Sequence, residues 1–114
     1  TARRPFLPGE DAPWIERERT RLRAILVRAL DCLAGIWEAR GEPALALNAI
    51  RDTVALEPFR ETGYERLMRL YLASGNRAEA LRTYEECRRL LRDELGSDPS
   101  DAIRALYAEL LGSP

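Results

Sequence analysis

The chain contains no histidine and no lysine, and all 18 of its cations are arginines. Without an imidazole, the commonest general base at neutral pH is missing, together with the commonest metal-ligating side chain. Only two cysteines occur, Cys32 and Cys87, with no CxxC spacing, so neither a zinc site nor a disulfide framework is encoded. Both lie among apolar residues of helical segments and read as reduced core side chains. No stretch approaches the roughly 20 apolar residues of a membrane span, and the N-terminus lacks a basic-then-apolar signal. An excess of one charge is missing too: 18 cations against 19 anions leave a formal charge of −1. Nucleic-acid affinity rests on uncompensated phosphate contacts, so these residues read as not themselves a DNA binder.

What is present is one domain's worth of chain, 114 residues with 32% charged and 46% hydrophobic side chains. The exclusive use of arginine beside sixteen alanines points to GC-rich codons, hence to a high-GC bacterial source. With neither a signal pattern nor a membrane span, the expected location is the cytoplasm. The start at Thr1 reads as a piece of a longer protein. Catalytic constellations are not encoded. Glu85 and Glu86 sit beside Arg88 and Arg89 as solvated ion pairs, and "PGEDAP" lacks the lysine and glycine spacing of a phosphate loop. The expectation is a non-enzyme with no cofactor and no metal.

Residues 1–12, "TARRPFLPGEDA", read as an extended arm whose Phe6 and Leu7 lie against something. The helical domain then covers 13–114. Proline is tolerated in a first turn, so a helix is predicted from Pro13 to Arg40. Leu22, Leu26, Leu30, Leu33 and Trp37 form one apolar stripe on it, and Ile25, Ala29, Cys32 and Ile36 form a second. Together they cover about 160° of arc, which predicts a helix sandwiched between neighbours. Gly41 and Pro43 make a short reversal into a second helix over 43–56, closed by Pro58. A third helix is predicted over 60–74, ended by Gly75. Asn76 and Glu79 form a capping box for a long fourth helix reaching "GSDPS", and a last amphipathic helix runs over 101–111.

The hairpins repeat at 34 residues: Gly41 falls on Gly75, Ala46 on Ala80, Ile50 on Tyr84, and Leu30, Leu33, Ala34 and Trp37 on Tyr64, Leu67, Met68 and Tyr71. Small residues recur where helices cross closely, with aromatic residues one turn away. This pattern resembles the tetratricopeptide repeat, with copies over 25–58 and 59–95 and the last helix as a cap. The second copy departs from it, with Arg92 in place of the closing proline. The fold class is therefore all-α, antiparallel hairpins stacked as repeats. Two such repeats leave part of the first helix uncovered, to be met by the arm, by a preceding domain or by a second copy.

The two ends carry a more specific likeness. "FLPGEDAPWIERERTRLR" before the repeats and "RLLRDELGSDPSDAIRALYAELL" after them resemble the bacterial transcriptional activation domain of the Streptomyces antibiotic regulatory proteins and related actinobacterial regulators. The resemblance implies an all-α domain that follows a winged-helix DNA-binding domain. It also implies transcription activation through contacts with that domain, with a second protomer or with RNA polymerase, DNA being reached only through another domain. A generic scaffold that docks partner peptides, unrelated to transcription, is the alternative.

Two candidate surfaces follow. Carried over by position from tetratricopeptide stacks, Arg28, Asp31, Glu38, Glu65 and Arg69 line a protein-binding groove of mixed charge. Phe6, Leu7, Trp14, Ile25 and Ile36 form a candidate interdomain surface. "RERTRLR" places Arg17, Arg21 and Arg28 on one helical face, but Glu16 and Glu18 interleave, so it reads as a solvated strip rather than a nucleic-acid site.

Overall fold

The computed structural model describes residues 8–112, with side chains from Pro13 onward, so Phe6 and Leu7 lie outside the described residues. Five helices and no strand occur among them: α1 (Pro8–Ala39), α2 (Pro43–Leu56), α3 (Glu61–Ala73), α4 (Arg77–Leu95) and α5 (Asp101–Gly112). The all-α expectation holds.

Local chemistry sets the breaks. Gly41 and Gly75 both adopt the left-handed backbone, at φ 75° and 77°, and each ends its helix with the same pair of bonds. Gly41 N–H donates to the Glu38 carbonyl and Glu42 N–H to the Trp37 carbonyl, at 3.0 and 2.8 Å. At the second turn Gly75 donates to Leu72 and Asn76 to Tyr71, again at 3.0 and 2.8 Å. These are Schellman closures at the 34-residue spacing. Asn76 also accepts from the Glu79 N–H at 3.3 Å, so it closes one helix and caps the next. Only this half of the expected capping box is formed, because the Asn76 N–H is already spent on Tyr71.

The first helix departs from expectation. It begins at Pro8, so residues 8–12 are helical rather than part of an extended arm, and Pro13 lies inside it. Pro8 supplies a pre-set φ at the first helical position. Pro13, so near the end, forgoes little more than the bond to the Gly9 carbonyl, a smaller penalty than in a helix interior.

Packing proceeds from neighbour to neighbour. α1 lies on α2, α2 on α3, α3 on α4, and α5 closes across α3 and α4. Ala46 and Ala80 are fully buried at the crossings, beside Ile50, Met68, Cys87 and Leu91. α5 buries Ile103, Leu106 and Leu110. Its Tyr107 stacks on Tyr84 with ring centroids 3.8 Å apart. Arg77 Nε donates to the Leu110 carbonyl at 2.9 Å, which caps the last turn of α5. The Ser100 N–H donates to Glu61 at 2.7 Å, tying the α4–α5 turn to the start of α3.

The expected sandwiching of α1 does not occur within the described chain: α2 is the only helix packed along it. The molecule measures 67 × 37 × 18 Å with a radius of gyration of 17.8 Å. A compact domain of this length would have about 13 Å. The excess arises because α1, about 48 Å long, outreaches α2, about 21 Å. Cys87 is a core residue as expected, but Cys32 is exposed. Its position turns it to the side of α1 that α2 does not cover.

Two tests follow from this packing. Ala80→Leu forces a larger side chain into a closed crossing and should lower stability by about 1–3 kcal/mol in urea unfolding, with the helical spectrum retained. Burial pushes both the Tyr64 hydroxyl and the Cys87 thiol up to about 12, with nearby Glu86 adding to the first and Glu61 to the second. The folded chain therefore holds these protons where the unfolded chain releases them, from about pH 9 for the thiol. Their contribution to stability is complete below the unfolded values and is lost as pH rises toward 12. The urea midpoint should fall steadily between about pH 9 and about pH 11; a flat midpoint would contradict this account.

Candidate protein-interaction surfaces

On the inner side, α1 and α3 are not packed directly but are joined by charge. Arg60, at the N-cap of α3, pairs with Asp31 of α1. Arg66 reaches the Asp31 carboxylate at 3.6 Å, its carbonyl oxygen at 3.2 Å and Glu38 at 3.1 Å. Arg66 crosses Gly35, where a Cβ would stand 3.7 Å from Nη2. Glu65 and Arg69 pair with each other along α3 at 3.3 Å. Of the five residues expected to line a groove, Asp31 and Glu38 are thus engaged in holding the repeats together, and Glu65 and Arg69 are engaged with each other. Arg28 alone of the five is exposed with no side-chain partner among the described residues.

Sequence reasoning missed Arg60 and Arg66, which organise this face. At the 34-residue offset they replace Leu26 and Cys32, and that mismatch of character between copies was the available signal. It missed Val27 as well, which is buried. The strip "RERTRLR" behaves as expected: Arg19 with Glu16 and Arg21 with Glu18 form exposed pairs at 3.6 Å.

The opposite side of α1 is apolar and open. Leu22, Ile25, Leu26, Leu33 and Ile36 retain 57, 43, 49, 39 and 53% of their accessible surface, and Ala29 and Cys32 between them are also exposed. The structure brings Ile25 and Ile36 onto this one face and leaves Trp14 exposed farther toward the N-terminus. The second copy of the repeat offers a comparison for this face. Ala29, Leu33 and Ile36 correspond to Gly63, Leu67 and Leu70 in the second copy, and all three of those are buried. A Cβ on Gly63 would meet Val54 and Thr53 of α2. The position by which Gly63 of α3 receives α2 is therefore one that α1, at Ala29, leaves open.

Stacked hairpins with an ion-bridged inner face and, among the described residues, an uncovered apolar helix face make up a helical-repeat module with two candidate contact surfaces. Among the described residues no three potential metal ligands cluster, and no helix is long and apolar enough to cross a membrane. The family model described as the bacterial transcriptional activator domain matches residues 3–111, and the chain belongs to that family. It is 34% identical over 105 residues to the regulatory protein AfsR of Streptomyces coelicolor, which covers 92% of this chain and 11% of that relative. Over 83 residues it is 36% identical to the transcriptional regulator RedD of the same species, covering 73% of this chain and 24% of RedD. The transcriptional regulatory protein MoaR1 of Mycobacterium tuberculosis is 32% identical over 73 residues, covering 64% of this chain and 24% of MoaR1. The chain thus spans between a tenth and a quarter of these relatives, one named a regulatory protein and two named transcriptional regulators. No solved structure matches.

The inner-face charges make a stability contribution that can be measured. Asp31→Ala leaves Arg60 and Arg66 without their shared carboxylate and should cost about 1 kcal/mol, the pair being partly solvated. A double-mutant cycle between Asp31 and Arg66 should show coupling that shrinks as salt is raised; strict additivity would exclude the bridge.

Proposed function

We propose that this domain is the protein-contacting part of a bacterial DNA-binding transcriptional activator. It acts in the cytoplasm through its own winged-helix DNA reader, a second protomer or RNA polymerase, and DNA is reached only by another domain. The observation that carries this reading is the open apolar face of α1, Leu22 to Ile36, in a chain of the activator-domain family. The formal charge of −1 supports contact with protein rather than with phosphate. The inner face is the weaker candidate, since Asp31 and Glu38 already hold arginines of the same chain.

The test is in vitro transcription with the parent regulator carrying Leu33→Glu together with Ile36→Glu, at concentrations that saturate its promoter. Both residues are solvent-exposed, so the fold should persist. Transcript should fall about tenfold or more, the effect expected when charges are placed on a buried contact face. Full activation by the double variant would overturn the reading.

A further inference from the structure

α2 and α4 are not packed on each other, and between them, over α3, lies a cleft of about 330 Å³. That is the small end of the range for metabolite pockets, roughly 300–1,000 Å³. Leu67 and Tyr71 of α3 form its floor, Arg51 and Val54 of α2 one wall, and Glu79, Arg82 and Glu86 of α4 the other. Two cations and two anions therefore line it, so it favours neither sign of charge. Glu79 and Arg82 answer each other in a pair at 3.4 Å. Arg51 and Glu86 do not. Glu86 has no hydrogen-bond or ion-pair partner among the described residues. Arg51 has the Tyr71 hydroxyl as its one side-chain partner there, with Nε donating at 2.9 Å and Nη2 more closely still. Nη1 remains unspent. The hydroxyl belongs to a residue only 5% exposed, and its own proton meets no acceptor among the described residues. Buried polar groups are normally paired.

The second repeat handles the same positions differently. At the 34-residue offset Arg51 and Val54 become Glu85 and Arg88, which pair along α4 at 2.8 Å. In the first repeat a valine stands where that partner would be, and the Arg51 guanidinium lies over the Tyr71 ring, 5.5 Å from its centroid. We propose that this cleft binds a free α-amino acid with a small aliphatic side chain. Its carboxylate takes Arg51 Nη1 and the Tyr71 hydroxyl proton, its ammonium donates to Glu86, and its side chain lies on Val54 and Leu67. A zwitterion answers every unspent group of the cleft at once, whereas a plain anion or cation leaves one of them unpaired.

An uncharged peptide segment answers neither Arg51 nor Glu86, and a chain terminus answers only one of them. The cleft is walled by both repeats, with Arg51 and Val54 from the first and the other residues from the second. A bound amino acid therefore joins the hairpins through α2 and α4, as the ion pairs of Asp31 and Glu38 join them through α1 and α3. It fixes the rotation of one repeat over the next. The site is independent of the α1 face and of the protein contacts proposed for it.

Thermal unfolding of the chain with L-alanine, L-valine or L-leucine, each at about 10 mM, should show Tm raised by about 3 °C or more for at least one of them. Titration calorimetry with that amino acid should then give one site. Glu86→Gln and Arg51→Gln should each weaken binding about tenfold or more, while Arg89→Gln, exposed elsewhere on α4, should not. The N-acetyl form of the same amino acid lacks the ammonium; it should bind about tenfold more weakly and be indifferent to Glu86→Gln. The methyl ester lacks the carboxylate and should be indifferent to Arg51→Gln. Circular dichroism of each variant separates loss of binding from loss of fold, and if Arg51→Gln does not fold, the ester on the unaltered chain reads the same contact. No shift with any of the three amino acids overturns the proposal. So does binding that survives both Arg51→Gln and Glu86→Gln. Tighter binding of an N-acetyl amino acid amide than of the free amino acid also overturns it, making the cleft a peptide site.

Discussion

Gly63 brings the backbone of α3 against Thr53 and Val54 of α2, so close that a Cβ would stand 3.0 Å from Val54 Cγ2. The placement of the second hairpin depends on that approach. With α3 at this distance Leu67 and Tyr71 become buried, and Arg51 Nε donates to the Tyr71 hydroxyl at 2.9 Å. The same placement carries Arg60 and Arg66 to Asp31 and Glu38, and α3 in turn supports α4 and α5. A glycine inside a helix costs about 1 kcal/mol of propensity relative to alanine. Here that loss is offset by the packing of one repeat on the next.

A stack built from such joints is stabilised neighbour by neighbour, and each end needs its own solution. At the C-terminal end the solution lies within the chain. α5 buries Ile103, Leu106 and Leu110, Tyr107 stacks on Tyr84, and Arg77 closes the Leu110 carbonyl. At the other side the described residues offer none, and α1 presents to solvent Ala29, the counterpart of the Gly63 that α3 sets against α2. That difference between the two sides of the stack, among the described residues, is what the proposed function rests on.

Much of this architecture was legible because it is local. Gly41 and Gly75 announce left-handed closures, Pro43 fits only a first turn, Asn76 is a cap, and Ala46 and Ala80 mark crossings at a fixed spacing. The helix start at Pro8 was not legible, because a second proline at position 13 looks like a boundary when the tolerance of a helix end is not weighed. Val27 and the roles of Arg60 and Arg66 were not legible either. Those depend on how far one hairpin is rotated over the next, which no window of sequence contains. The apolar breadth of α1 reads as demand for a second neighbour, but supply of that neighbour is a tertiary fact, and among the described residues only α2 packs along α1. Of the candidate surfaces, Ile25 and Ile36 share one face recognisable by periodicity, whereas of the groove residues, transferred by position, Asp31 and Glu38 hold Arg60 and Arg66, Glu65 and Arg69 hold each other, and Arg28 stays open.

The reach of α1 beyond α2 gives one continuous helix two kinds of stability. From Val27 onward its turns are braced by a buried contact and open only when the hairpin opens. Before it, apart from the approach of Arg23 to Leu56 and Phe59, about 18 residues have among the described residues only their own backbone bonds and exposed ion pairs that contribute tenths of a kcal/mol each. A helix of that length without tertiary support is marginal in water. The boundary between the two regimes falls inside the apolar face, between Leu26 and Leu33. Any partner that seats there therefore grips one rigid half and one yielding half, and ordering the second is part of what its binding must accomplish.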